Sequence, residues 1–552
     1  MASASPLVRA PGQQAGDETI HQPLTSQSPL TSLSDEILIA IAEYVGCDTG
    51  GVEPRYQTKG IAPQGPKNVY NLSLCSRRLR HITLPLVYSH IRSDNVCYDG
   101  ITEPLVSFLC KILAAPEIAG WVQVFHGAVM EEADGLLNLS QVTDEDWARI
   151  RSAVDAASES GSQGQGWLRG IESGLWDAIV TLVLSRLPNL EELEFENWTC
   201  GFDYFPILAR YVARAAELQQ CGETSTESML KLRRVALYFW DTEFGILLLD
   251  LVGFLKLKSL ESFYAHMVHE DNYSALSHDG PPPEWYSPEL EFSTKSLHLH
   301  HCNIDHKTLT LFLRCFTSLE RLRYKNGVVS YCEFEPSRMM EALEHMKPCV
   351  KELVIIDHED TYFGEYQEEY QKEHPLSSLV GFEKLKSIEM DACITMGHRT
   401  SADEDEAEGK FPKYQNLKGS LPPNLESLRL HHCGSKFLTQ ICEYIVQKDT
   451  CTPALKRLDL GWEKVQYPEK YSPDGLIHPN FTNEEANKLL AACQEADVEM
   501  VMKTQRPKGK FASYKDKKLG IVSNYFHYPY NGYEEFCKEH GCDLETGRSY
   551  DY

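Results

Sequence analysis

The sequence predicts an α/β chain: an N-terminal helical module, then an irregular stack of strand–helix units with a parallel sheet on one side and helices on the other. Three observations carry this. A short alternating run of the form Leu-x-x-Leu-x-Leu recurs through the middle of the chain. Segments with apolar residues three and four apart separate the runs, as expected of helices with one buried face. Upstream, residues 31–91 hold two helix-like stretches without a strand pattern.

Residues 1–30, rich in Ser, Pro and Gln, read as a disordered tail and lack the charged-then-apolar layout of a secretion signal. "TSLSDEILIAIAEYV" at 31–45 opens on the capping-type Ser34 and Asp35 and places Ile37, Leu38, Ile41 and Val45 on one helical face. The Gly/Pro-rich residues 46–67 read as a loop. "NVYNLSLCSRRLRHITLPLVYSHI" at 68–91 then supplies apolar Val69, Leu72, Leu74, Leu79, Ile82, Leu86 and Val87 around the pair Arg77–Arg78. A helix is expected in "LVSFLCKILAAPEIAGWVQVF" at 105–125, leading into a first, degenerate strand at 121–126.

Complete units follow over 92–500. They include Leu190-x-x-Leu193-x-Phe195, Leu232-x-x-Val235-x-Leu237, Leu319-x-x-Leu322-x-Tyr324, Leu425-x-x-Leu428-x-Leu430 and Leu455-x-x-Leu458-x-Leu460. Phe437, Ile441 and Ile445 share one helical face between runs, as do Leu309, Leu313 and Phe316, and Met339, Leu343 and Met346. Inserted loops are expected near 127–166, around the Gly/Ser/Gln stretch 160–166, and near 398–415, around the acidic "TSADEDEAEG". A last helix falls at 482–497, with Thr482 as its cap and Glu485 three on. Residues 501–552 form a cap or tail.

Two near copies, "SLHLHHC" at 296–302 and "SLRLHHC" at 427–433, resemble metal ligands. Geometry argues for scaffold. Strands lie about 4.8 Å apart, so units four apart are roughly 19 Å distant, whereas zinc ligands sit about 2.0–2.3 Å from one ion. Within a triplet, successive strand residues point to opposite faces, so His300 and His301 diverge while the strand persists. Cys302, Cys393 and Cys433 share one slot after their strands. No metal, cofactor or catalytic residue is expected. The chain has no Gly-rich phosphate loop with Lys, no His-Glu-x-x-His, no Cys-x-x-Cys and no Gly-x-Ser-x-Gly.

A net charge of −27 argues against nucleic acid or an anionic membrane as partner. The basic stretch 505–518 reads as a solvated loop. The longest apolar candidate, 246–255, is about half a membrane span and carries Asp250. Seventeen Cys without regular spacing suggest reduced thiols, hence the cytosol or nucleus.

The N-terminal pattern resembles an F-box: Leu33, Glu36, Ile37 and Leu38 match its opening, and Leu72, Ser76, Arg77 and Leu79 match its later segment. Ser34 stands where Pro is usual, and Leu79 where Trp or Phe often stands. The units at roughly 105–500 resemble leucine-rich repeats, with central positions 25 to 42 residues apart against about 20–29 in regular members. An F-box before such repeats, with "LPLVYSHI" at 84–91, resembles fungal F-box proteins, substrate receptors of Skp–cullin–F-box ubiquitin ligases.

The resemblance implies that Leu33, Ser34, Glu36, Ile37, Leu38, Ile41, Leu72, Ser76, Arg77 and Leu79 meet the Skp adaptor, and through it a cullin ligase. The repeats would hold a protein target, and the chain itself would perform no bond chemistry. Strand alternation offers Glu194, Tyr238, Tyr264, His298, Arg321, Arg323, Lys325, Glu389, Arg429 and His431 as target contacts. The alternative is a repeat scaffold whose N-terminal helices only cap it and whose partner is not ubiquitinated.

Overall fold

A computed structural model describes residues 32–46, 64–93, 104–128, 136–196, 205–222, 229–239, 245–269, 285–302, 304–327, 336–356, 376, 378–396, 417–433, 435–462 and 483–503. They divide into two units, one reaching Val87 and one starting at Tyr88.

The first unit is built from α1 (Asp35–Gly46), α2 (Gln64–Ser73) and most of α3 (Arg77–Ser89). Leu38, Leu79 and Ile82 form its core, with Leu33 and Leu72 against them. At the head of α3 the Ser76 hydroxyl accepts from the Leu79 N–H at 3.1 Å, satisfying an orphan donor. Arg78 ties the two ends of the motif together, donating to Asp35 Oδ1 at 2.5 Å and to the Leu33 carbonyl at 2.8 Å. The expected loop 46–67 is shorter than its composition implied. Helix α1 includes Gly46 and α2 already begins at Gln64, because Pro is tolerated in the first turn of a helix. Residues 47–63 and the tail 1–30 lie outside the described residues.

The second unit is mixed α/β. Its strands are β1 (His90–Ser93), β2 (Val124–Ala128), β3 (Glu192–Glu196), β4 (Arg234–Leu237), β5 (Ile246–Leu247), β6 (Ser262–His266) and β7 (Val268–His269). There follow β8 (Ser296–Cys302), β9 (Arg321–Asn326), β10 (Glu352–Ile356), β11 (Ser387–Asp391), β12 (Ser427–Cys433), β13 (Arg457–Trp462) and β14 (Glu499–Lys503). All but β5 and β7, which pair with each other, form one twelve-stranded parallel sheet in sequence order. Parallel neighbours require crossovers, and helices supply most of them. These are α4 (Pro104–Ala114), α5 (Pro116–Ala119), α6 (Asp144–Ala157), α7 (Gly161–Glu172), α8 (Trp176–Ser185), α9 (Pro206–Cys221) and α10 (Leu248–Leu255). Farther on come α11 (His306–Arg314), α12 (Pro336–Leu343), α13 (Ala392–Met396), α14 (Ser435–Val446), α15 (Lys448–Cys451) and α16 (Asn483–Glu495).

Register carries the repeat. Phe125, Leu193, Val235, Phe263, Leu297, Leu322, Leu353, Ile388, Leu428 and Leu458 pair side by side from β2 to β13. Every one is buried in a single core that also takes in the helix faces with Leu309 and Leu313, Met339 and Leu343, and Ile441 and Ile445. Burying each large aliphatic side chain contributes about 1.5–3 kcal/mol. The sheet starts earlier and ends later than the bounds 92–500: β1 begins at His90, and β14 runs to Lys503. Residues 504–552 are outside the described set.

The loop expected near 127–166 is corrected. Apart from 129–135, which are not described, it holds the end of β2, all of α6 and the start of α7. Thr143 and Asp146 close a capping box on α6. Ser160 caps α7, and Gly170 lets that helix approach α8, since a Cβ there would lie 3.0 Å from Ala178 Cβ. Trp167 then reaches across to donate its indole N–H to the Ala178 carbonyl at 2.8 Å. The loop near 398–415 lies outside the described residues. No described helix is long and apolar enough to cross a membrane; the run 246–255 forms β5 and the largely buried α10.

Candidate interaction surfaces

Within the first unit, the residues expected to meet an adaptor separate by depth. Leu38 is 1% exposed and Leu79 is also buried, so both shape the module from inside. Leu33, Ile41, Leu72 and Ser76 are half-buried, while Ser34, Glu36 and Arg77 are exposed. Ile37 is 49% exposed. Glu36 is held below the usual carboxylate range by its own backbone N–H and then by the Ser34 hydroxyl. Four further apolar side chains of the first unit are exposed: Ile39, Tyr44 at 74%, Tyr70 at 52% and Leu74 at 61%. Residue spacing on α1 shows an apolar face but not which side of it is already used; Leu38 and Ala42 take the inner side.

In the second unit, alternation sends every other strand residue away from the core. Glu194 on β3 lies 3.9 Å from His126 Nδ1. Tyr238 and Tyr264 are largely buried, their rings 5.0 Å apart. His298 is half-buried, its Nε2 3.0 Å from the Ser296 hydroxyl. Burial, then Arg323, Arg321 and Lys325, push its pKa down to about 4, so the ring is neutral at physiological pH. Arg321 is exposed; Arg323 and Lys325 are half-buried. Arg323 donates twice to Glu352 Oε1, at 3.0 and 2.7 Å.

Glu389, Arg429 and His431 converge. His431 Nε2 is 2.9 Å from Glu389 Oε1, and Arg429 bridges Glu389 Oε2 at 3.2 Å and Asp459 Oδ2 at 2.9 Å. Arg457 completes the network on Asp459 Oδ1 at 2.8 Å. Burial alone would raise the Glu389 carboxyl, but the His431 hydrogen bond and the charges of Arg429, His431 and Lys325 outweigh it and hold it at about 2. These three residues mainly neutralise one another. Asp459 and Arg457 complete the set and were missed, although Asp459 fills the same slot between buried leucines as Arg429 does.

The His-His-Cys triplets end β8 and β12, four strands apart in the sheet. Among the described residues no group of three or more His, Cys, Asp or Glu could hold a metal. Two details differ from expectation. Register shifts after Leu299, and His301 adopts φ 53°. His300 and His301 therefore do not diverge cleanly: His300 packs on Tyr264 and His301 on His266, both outward residues of β6. A β-bulge re-aims side chains in this way. Cys302 and Cys433 are buried strand-end residues, but Cys393 already lies in α13.

No family model matches the chain, and no curated protein matches it either.

Proposed function

We propose that the chain is the substrate-recognition subunit of a Skp–cullin–F-box ubiquitin ligase, working in the cytoplasm or nucleus. In this reading the first unit is an F-box, and the second is a leucine-rich-repeat solenoid that holds a target protein. One observation carries the proposal. Five of the nine large apolar side chains exposed among the described residues stand on α1 and α2 or directly after α2: Ile37, Ile39, Tyr44, Tyr70 and Leu74. Their concentration on one small module supports a docking role for it, since contiguous apolar surface marks interaction sites. The in-register Leu-x-x-Leu-x-Leu ladder supports the repeat assignment.

The chemistry belongs to other subunits. The receptor contributes proximity, raising the effective concentration of a target lysine near a ubiquitin-charged enzyme. The test is co-expression with a Skp adaptor, comparing the intact chain with an Ile37→Glu/Leu74→Glu double variant. The intact chain should co-purify with the adaptor. The variant, still folded by circular dichroism, should not. An intact chain that fails to retain the adaptor overturns the ligase assignment.

A further inference from the structure

The inward row of the sheet loses its cover at the last strand. From β2 to β13 the residues at the central inward position are at most 2% exposed. Met500 continues that row beside Leu458 on β14, yet it is only half-buried, as is Leu490 on α16. Strand β14 bonds β13 on one side and, among the described residues, no strand on the other. The Glu499 N–H donates to the Lys456 carbonyl of the β13 side at 2.8 Å. Alternate residues of a parallel ladder face opposite neighbours, so the N–H groups of Met500 and Met502 point to the open edge. An edge of this kind, apolar in the middle, is a template for one more strand.

The chain carries a segment suited to that edge. Residues 519–526, Leu-Gly-Ile-Val-Ser-Asn-Tyr-Phe, contain no charge and no Pro, and combine β-branched with aromatic side chains. Residues 504–518, which separate them from β14, are fifteen in number, and a parallel crossover needs about a dozen or more. Charge agrees with length. Residues 505–518 carry six cations and one carboxylate. Glu495, Asp497 and Glu499 stand exposed at the turn into β14, where Arg457 reaches Glu499 at 3.5 Å.

We propose that residues 519–526 dock along the outer edge of β14, bonding its open N–H and C=O groups and covering Met500 and Leu490. The inference stands independently of the receptor reading. It gives the stack of units the covered end that such arrays require for solubility. The chain's own segment fits better than a second copy, because a tether of this length holds it near the edge at high effective concentration.

The test is hydrogen exchange of the full chain, read by mass spectrometry at single-residue resolution and at low and high protein concentration. The Met500 and Met502 amides should be protected, to the same degree at both concentrations. An Ile521→Pro/Val522→Pro double variant removes two successive N–H groups, one of which must face β14. In it both amides should exchange about tenfold faster or more, while the amides of β12 and β13 keep their protection. Unprotected Met500 and Met502 in the intact chain, or the same protection in the double variant, overturns the proposal. Protection that grows with protein concentration also overturns it, by assigning the edge to a second copy.

Discussion

Arg429 is the residue on which most of the outer network depends. It reaches Glu389 and Asp459 together, and both carboxylates are largely buried. Removing one partner of such a group leaves the other charge uncompensated, which costs more than the pair contributes. Arg429→Ala should therefore destabilise the chain by about 2–4 kcal/mol in urea unfolding, and Glu389→Gln by less. A destabilisation below about 0.5 kcal/mol for Arg429→Ala, the usual surface value, would contradict this account of the network. Gly174 is a second sensitive residue. Its φ is +77°, and a Cβ would sit 2.6 Å from the Leu137 carbonyl oxygen. Gly174→Ala should cost more than about 1 kcal/mol by the same measurement.

At the scale of elements, α9 has no cap of its own: Phe205 precedes it, and Asp177 of α8 accepts from the Ile207 and Leu208 N–H groups, each at 2.9 Å. Burial raises the Asp177 carboxyl to about 6, against the pull of those two backbone hydrogen bonds. The folded state then holds this proton more tightly than the unfolded one. Its contribution is complete below pH 3.8 and lost as pH rises through about 6. Asp177→Asn should remove that decline, visible as a flatter stability profile between those values in thermal unfolding. Glu389 has the opposite sign: lowered from 4.5 to about 2, it stabilises above 4.5 and loses this as pH falls through about 2.

The elements also divide by how openly the sequence announced them. Strands β3, β4, β6 and β8 to β13 were legible because a period of two with buried Leu at fixed offsets has few other readings. Helices α6 to α8 were not foreseen, although Thr143-x-x-Asp146 ahead of Trp147, Ile150 and Val154 is a readable helix start. The small residues at 160–166 pointed to a loop; Gly164 instead gives α7 room beside Ser158, where a Cβ would lie 2.8 Å from Oγ. The outward slots of the sheet could be named from alternation alone. Which of them cancel one another could not, because Arg429 and its carboxylate partners come from runs 30 and 40 residues away.

For the molecule as a whole, each sheet strand bonds only its neighbours, so damage in the middle should stay local before it spreads. Leu353 sits mid-sheet between Leu322 and Ile388 and is fully buried. Leu353→Ala should cost about 2–5 kcal/mol. Hydrogen exchange should then lose protection first in β9 to β11, while β2 and β3 keep theirs. Uniform loss across all strands would mean that the sheet melts as one block.

The in-register ladder is also a ruler. Each strand step advances about 4.8 Å along the sheet, so the stretch from β6 to β10, three steps, measures about 14 Å. An extended peptide covers about 3.3–3.6 Å per residue and crosses it in about four residues. All twelve strands together make eleven such steps, about 53 Å, which an extended segment would cross in about fifteen residues.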